Sequence, residues 1–444
     1  MNNFLWQLLP LRLRKMVAGR ANLHTILANI SWLFIDRILR MVVSLFVSIW
    51  IARYLGPQQF GLYNYALAFV ALFSAFATLG LDAIVIRDIV RSPAQREEIL
   101  GTAFVLKVIS GIVTFTITLI AVMLLRPQDS FMHWLVGVTA AAMILQAFDT
   151  IDLWFQSQVK SKYVVYAKNG AFTVVTGLKV LLIALHAPLL AFAWIGLVEV
   201  ALGAVGLVIV YTRAGYRLSQ WHVNRAQAKK LLLDSTPLML SSIMIMIYMR
   251  IDQIMLGEMI GEQEVGIYAV AVRLVEIWYF IPVAIASSVF PIIIASKQIS
   301  DALLYARLQK FYNWMTFLGY GIAASVSILA RPIVLLLFGD TYARAAPMLA
   351  LLIWSVLFTN LGVARTVFLN TFNMSKVLLV IVFGSSIINI GLNLLLIPAY
   401  QGMGAVIASC VAYAFAAYIS CFLYKPLQKT GRMLTKALIF PKVW

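Results

Sequence analysis

Charge is scarce in this chain, and negative charge scarcest of all. Of its 444 residues only 12% are charged, with 17 Asp and Glu against 35 Lys and Arg, while 62% are hydrophobic and the mean hydropathy is +0.92. No soluble domain of this length could hide so much apolar surface, so the chain reads as an all-α, polytopic integral membrane protein. Its two cysteines, Cys410 and Cys421, share one predicted helix roughly 16 Å apart along the axis, so they cannot pair with each other and carry no information on redox compartment. The four histidines, His24, His133, His186 and His222, are scattered among termini and connections, which argues against a metal site. No P-loop or other nucleotide signature occurs, so ATP is not expected to drive the chain directly, and no cofactor is expected at all.

What is present is a series of apolar windows of about 20 residues, the length that spans a hydrocarbon core. Twelve are predicted between residues 29 and 424, dividing the chain into an interfacial segment (1–28), a first bundle of six helices (29–212), a basic linker (213–235), a second bundle of six (236–424) and a tail (425–444). The basic residues of 1–28 follow its short apolar run and no small-residue cleavage site appears, so this segment is not read as a signal peptide. Twenty-four of the 35 Lys and Arg fall in the termini and the even-numbered connections, among them Arg87, Lys160, Lys168, Arg213 and Lys230. Only Arg53, Arg126, Arg331 and Arg344 lie near the odd ones. The positive-inside rule then predicts that both termini are cytoplasmic. The +18 net charge is thus a topology signal, and no nucleic-acid partner is called for. The linker is expected to form an amphipathic helix on the anionic leaflet, and the tail to lie in the interface likewise.

The segment GPQQFGLYNYALAF, residues 56–69, returns 205 positions later as GEQEVGIYAVAVRL, residues 261–274. Gly56/Gly261, Gln58/Gln263, Gly61/Gly266, Tyr63/Tyr268 and Ala66/Ala271 coincide without a gap, which predicts two pseudo-symmetric halves about an axis along the membrane normal.

Seven basic residues fall at membrane depth: Arg37, Arg40, Lys107, Lys179, Arg250, Arg273 and Arg365. An arginine in lipid costs on the order of 3 kcal/mol on insertion scales, so such groups are expected to face protein or a wet cavity. Asp36, Arg40, Ser44 and Ser48 recur every fourth residue with Arg37 one step round, a polar stripe on the first span. Asp149 and Asp152 read as partners of lumen arginines or as a proton-coupling site. Lys107 is expected to snorkel, and Glu199 to partner a neighbouring cation. Arg250 and Asp252, two residues apart, should face opposite ways, whereas Arg273 and Glu276, one turn apart, suit an intrahelical ion pair. Pro282 and Pro291 should kink the eighth span. Cations on several helices ask for an anionic cargo, and arginine's planar fork suits phosphate. The outer connections are short and poor in carboxylates, so no catalytic residue is proposed and an outer-face glycosyltransferase or ligase ranks last.

The stretches IARYLGPQQFGLYNYALAF, YMRIDQIMLGEMIGEQEVGIYAVAVRL, LFGDTYARAAPMLALLIWSVLF and NLLLIPAYQGMGAVIAS resemble those of bacterial polysaccharide repeat-unit flippases. These are the Wzx-like O-antigen and exopolysaccharide branch of the multidrug/oligosaccharidyl-lipid/polysaccharide (MOP) exporter superfamily. The resemblance implies two six-helix bundles around a central lumen in the bacterial inner membrane. It also implies a substrate of undecaprenyl-pyrophosphate-linked oligosaccharide, moved between leaflets by alternating access with a proton or sodium ion coupled. Carried over by residue, it implies lumen positive charge, and so substrate contacts, at Arg37, Arg40, Arg250 and Arg273. Independently of the resemblance, their places within predicted helices make Asp36, Asp149, Asp152, Lys179, Asp252 and Glu276 the lumen or ion-coupling candidates. A polysaccharide polymerase and a chain-length regulator are partners it leaves open. The runner-up is a cation-coupled drug or metabolite exporter on the same fold.

Overall fold

The computed structural model describes residues 21–442 apart from 161 and 373, with side chains from 38 onward apart from 375. Most of the segment 1–28 and the side chains of Asp36 and Arg37 therefore lie outside the described residues.

In hydrocarbon every backbone N–H and C=O must be satisfied within its own segment, which long apolar runs achieve as helices. No strand occurs among the described residues, and eleven helical stretches are long and apolar enough to cross a membrane. The first, Ile38–Arg91, runs for 54 residues and contains two of the predicted spans. Its main helix α1, Ala21–Thr78, would measure about 87 Å if straight, but it is broken at Gly56 (φ 67, ψ 172). That left-handed backbone is open to glycine, and Pro57 follows with φ preset for a helix start. Arg40 before the break and Ser74 after it line cavities that share Gln146, so the chain doubles back on itself.

The first bundle continues with α2 (Asp82–Arg91), α3 (Arg96–Leu125), α4 (Ser130–Leu145), α5 (Asp149–Ser157), α6 (Lys162–Ala184) and α7 (Leu189–Arg213). The second contains α8 (Arg225–Met259), α9 (Glu262–Glu276), α10 (Phe280–Ile299), α11 (Asp301–Phe338), α12 (Ala345–Leu352), α13 (Ser355–Thr371), α14 (Ser375–Tyr400) and α15 (Gly402–Ala414). A short α16 (Ser420–Leu423) leads to the tail helix α17 (Gln428–Ile439).

The repeat read from the sequence is where the halves touch. Gly261 (φ 123) separates α8 from α9 as Gly56 separates the arms of α1. A Cβ on Gly61 would lie 1.7 Å from the carbonyl oxygen of Glu262, and one on Gly266 would lie 2.0 Å from that of Pro57. Pro57 and Glu262 are themselves 205 positions apart, so each half offers the same glycine to the same carbonyl of the other. Reciprocity of this kind is what a two-fold relation produces.

One expectation is corrected here. The linker is not one amphipathic helix. Its first part is an extended strap, because burial of aromatic surface draws it onto the bundle: Trp221 donates to the Tyr211 hydroxyl at 3.0 Å, rests 5.6 Å from Phe104, and leads into His222, whose backbone crosses bare Gly101. Helix begins only at Arg225, where the Asn224 side chain accepts the Ala226 N–H at 2.8 Å, and α8 then runs unbroken through Pro237 to Met259. The eighth span does break at its first proline, while Pro291 lies inside α10. Pro282 has no N–H to offer the carbonyl of Trp278, and a tight 3₁₀ turn over Ile277–Tyr279 divides α9 from α10.

The tail helix gives its apolar face, with Leu434 and Ala437 buried, to α11. Gln309, Asn313 and Tyr320 on α11 donate to the Met433, Lys442 and Leu438 carbonyls at 3.0, 2.8 and 3.0 Å.

Gly61→Val should force the halves apart, an overpacking cost of about 1–3 kcal/mol read as a clear fall in the Tm of the purified protein. Gly177→Ala, with nothing within 4 Å of the new Cβ, should hold or raise it.

Candidate functional site

Four charged groups of the first bundle, Arg40, Asp149, Lys168 and Glu199, line one cavity. On α1, Arg40 donates from Nε to Asn169 Oδ1 at 2.8 Å and lies over the Phe172 ring at 5.4 Å, both on α6. Arg40 shares a cavity of about 230 Å³ with Gln146, Asp149, Lys168, Glu199 and Gly203. Lys168 Nζ sits between Asp149 at 2.8 Å and Asp152 at 2.7 Å, and Lys179, three turns further along the same face of α6, meets Glu199 at 2.8 Å. The pairing offsets much of the cost of holding these charges at membrane depth. Gln146 stands in a 3₁₀ turn, Gln146–Phe148, that interrupts the fourth span between α4 and α5 and also reaches a second cavity of about 290 Å³.

Several readings change. Asp149 and Asp152 are paired with Lys168 and not with lumen arginines. The sequence groups Lys168 with a basic connection, whereas α6 starts at Lys162 and carries it into the bundle. It stands on the same helical face as Lys179, a spacing visible in the sequence. Glu199 does partner a cation, as expected. Lys107 does not snorkel: it is only 3% exposed and its ammonium lies 2.6 Å from Asp82, at the start of α2.

The second bundle is organised differently. Arg250 and Asp252 do face apart. Arg250 pairs with Glu276 at 3.1 Å, whereas Asp252, 5% exposed, accepts on Oδ2 from Tyr268 at 2.6 Å and Ser409 at 2.5 Å. The other oxygen, Oδ1, is buried without a hydrogen-bond partner in the structure. The expected Arg273–Glu276 pair does not form, because Arg273 reaches across the bundles to Ser48 Oγ at 3.3 Å and Glu276 is left to Arg250. Arg365 is buried, donating to the Ala416 carbonyl and to Ser420 Oγ. It borders a cavity of about 560 Å³ whose other walls include Tyr248, Phe290, Phe358 and Tyr413. One bundle thus holds a charged cavity and the other a mainly apolar one.

Around the paired glycines the halves are tied by ions. Arg126 binds Glu258 at 2.7 Å and Glu262 at 2.6 Å and lies 4.3 Å over the Tyr65 ring, whose hydroxyl also donates to Glu258 at 2.6 Å. Arg53 donates to the Leu336 carbonyl at 2.5 Å, and the Tyr342 hydroxyl to that of Ala52 at 2.8 Å. The sequence marked Arg53 and Arg126 only as the few cations near odd connections; their cross-bundle partners have no local signal.

Among solved structures the chain is similar to a multidrug resistance MATE family transporter of the MOP superfamily in an inward-facing conformation, with TM-score 0.70 and 16% identity over 88% of this chain and 96% of that one. It is similar also to the lipid II flippase MurJ in an inward closed conformation, with TM-score 0.67 and 13% identity over 92% and 90% of the two chains. A MOP superfamily transporter from Pyrococcus furiosus, described as having reversed binding-pocket polarity, aligns with TM-score 0.60 and 14% identity over 91% and 96%. These likenesses define the fold as that of the MOP superfamily. Residues 26–297 match the family described as polysaccharide biosynthesis protein, and residues 237–395 match the MatE family. The chain belongs to the polysaccharide biosynthesis protein family. No curated protein sequence matches it.

A double-mutant cycle over Lys179→Leu and Glu199→Leu, read as Tm of the purified protein, should give a favourable coupling of about 1 kcal/mol, with the double variant more stable than either single one.

Proposed function

We propose that the protein is a flippase that moves undecaprenyl-pyrophosphate-linked oligosaccharide from the cytoplasmic to the periplasmic leaflet of a bacterial inner membrane. The observation that carries this reading is the cavity at Arg40. A guanidinium held by Asn169 and Phe172 stands beside an ammonium, Lys168, that two carboxylates already hold. A pyrophosphate arriving there exchanges carboxylate partners for phosphate oxygens with little loss of hydrogen bonding. The displaced carboxylates, with Gln146 and Asn169, are the groups that bind sugar hydroxyls. The basic face that carries both the linker and the tail is then cytoplasmic, by the positive-inside rule. The lipid II flippase that shares the fold is a protein whose name already states a lipid-linked cargo. From the second bundle, Arg250 and Arg273 are the further cations offered to the cargo, with Arg273 reaching across to Ser48. Outward release requires the Arg126 network around the paired glycines to part.

Ion coupling falls to Asp252. A buried carboxylate with one oxygen held by two hydroxyls and the other without a partner is suited to gain and lose a proton or a small cation. The same carboxylate favours the second reading, a cation-driven exporter of drugs or metabolites.

Arg40→Glu should abolish transport and Arg40→Lys should retain part of it, measured as the amount and sidedness of lipid-linked oligosaccharide in cells. Accumulation on the cytoplasmic leaflet, reproduced by Arg40→Ala, supports the flippase. Full activity with Glu at position 40 overturns the assignment, and accumulation on the outer leaflet indicates a downstream transferase or ligase. If lipid-linked oligosaccharide stays unchanged while Asp252→Asn stops efflux of a cationic dye, the exporter reading replaces it.

A further inference from the structure

The cleft between the tail helix and α11 is built unlike the rest of the basic face. Lys429, Met433 and Lys436 of α17 and Phe440 just after it recur at helical spacing, on a stripe flanking the face that buries Leu434 and Ala437. Lys310 approaches from α11 and Lys442 from the residues after α17, so four ammonium groups border one cavity of about 840 Å³. Tyr305 and Phe440 complete its walls, with Lys429 Nζ 3.2 Å over the Tyr305 ring.

Elsewhere on the basic face some cations are neutralised by carboxylates, and Lys297 and Arg307 are held by backbone carbonyls. Arg87 holds Asp88 and Asp234, and Lys230 holds Asp88. Among the described residues none of the four cleft lysines forms an ion pair with a carboxylate. The polar groups beneath them, Gln309 and Asn313, are used up in binding each other and the tail backbone. The arrangement gathers four like charges around a concave, aromatic-sided space, and an anion is what lowers its energy.

The surroundings say which anion. One and two turns along α11 from Lys310, Trp314 and Phe317 project from the same helical face and are 49% and 53% exposed. Beside Phe440, Ile439 is exposed as well. The cationic cleft therefore opens onto an apolar surface, the order of chemistry found from headgroup to acyl chain.

We infer that this cleft binds the phosphodiester headgroup of an anionic phospholipid, with its acyl chains lying along Trp314 and Phe317. The bound lipid bridges α17 to α11 and clamps the tail to the second bundle. This site is separate from the transport cavity and does not depend on the cargo.

The test uses the full-length purified protein in a non-ionic detergent, with dioleoyl-phosphatidylglycerol and dioleoyl-phosphatidylcholine as probes and bound lipid counted by native mass spectrometry. The wild type should retain phosphatidylglycerol over phosphatidylcholine. The variant K310Q/K429Q/K436Q should reduce that retention at least about tenfold, and K310R/K429R/K436R should keep it. A salt titration of the wild type supplies a reading that needs no variant to fold: phosphatidylglycerol retention should fall as NaCl rises. Equal retention of the two lipids by the wild type, or equal phosphatidylglycerol retention by the wild type and the Gln variant, overturns the proposal. Binding of inorganic phosphate that phosphatidylglycerol fails to displace assigns the cleft to a free anion and overturns the lipid.

Discussion

Two helices meet at Gly61 and Gly266 with no side chain between them. In lipid there is no hydrophobic force to drive one apolar helix onto another, so association depends on how closely backbones approach. Here each glycine lies against a carbonyl of the other half, close enough that any Cβ would collide with it. The geometry suits Cα–H···O contacts worth about 0.5–1 kcal/mol each. Much of the rest of the structure is referred to this contact. It sets the two-fold relation, brings Arg126 to Glu258 and Glu262, and places Arg273 beside Ser48.

The ion pairs around that contact include partly exposed groups, with Glu258 and Glu262 at 29% and 22% exposure. Partly exposed pairs contribute little individually, about 0–1 kcal/mol. A seal of this construction can be specific in register and still open, which a fully buried network would resist. The glycine contact supplies the alignment, and the ion pairs add register around it.

The repeat fixes the backbone in both halves while the side chains diverge. In the first bundle Arg40, Lys168 and Lys179 sit among Asp149, Asp152 and Glu199. In the second the cavity beside Arg365 is walled chiefly by aromatic and aliphatic groups, and Asp252 is withdrawn into a hydroxyl cage. Duplication thus provides a common frame, and separate divergence gives each half its own side-chain chemistry.

The sequence by itself determined that the chain is helical and membrane-spanning, and where its internal repeat lies. Those properties depend on local apolar length and on glycines whose backbone needs are local. It also marked which charges are costly: Arg40, Lys179, Arg250 and Asp252 stand out because a charge in an apolar run has no local excuse. Only the tertiary structure decided their partners. Lys168 joins Asp149 and Asp152, Glu276 turns from Arg273 to Arg250, and Lys107 meets Asp82. The linker likewise became a strap because Trp221 found Tyr211 and Phe104. An ion pair or an aromatic contact is a property of two helices in space, and helical periodicity states only which way a residue points, not what it meets.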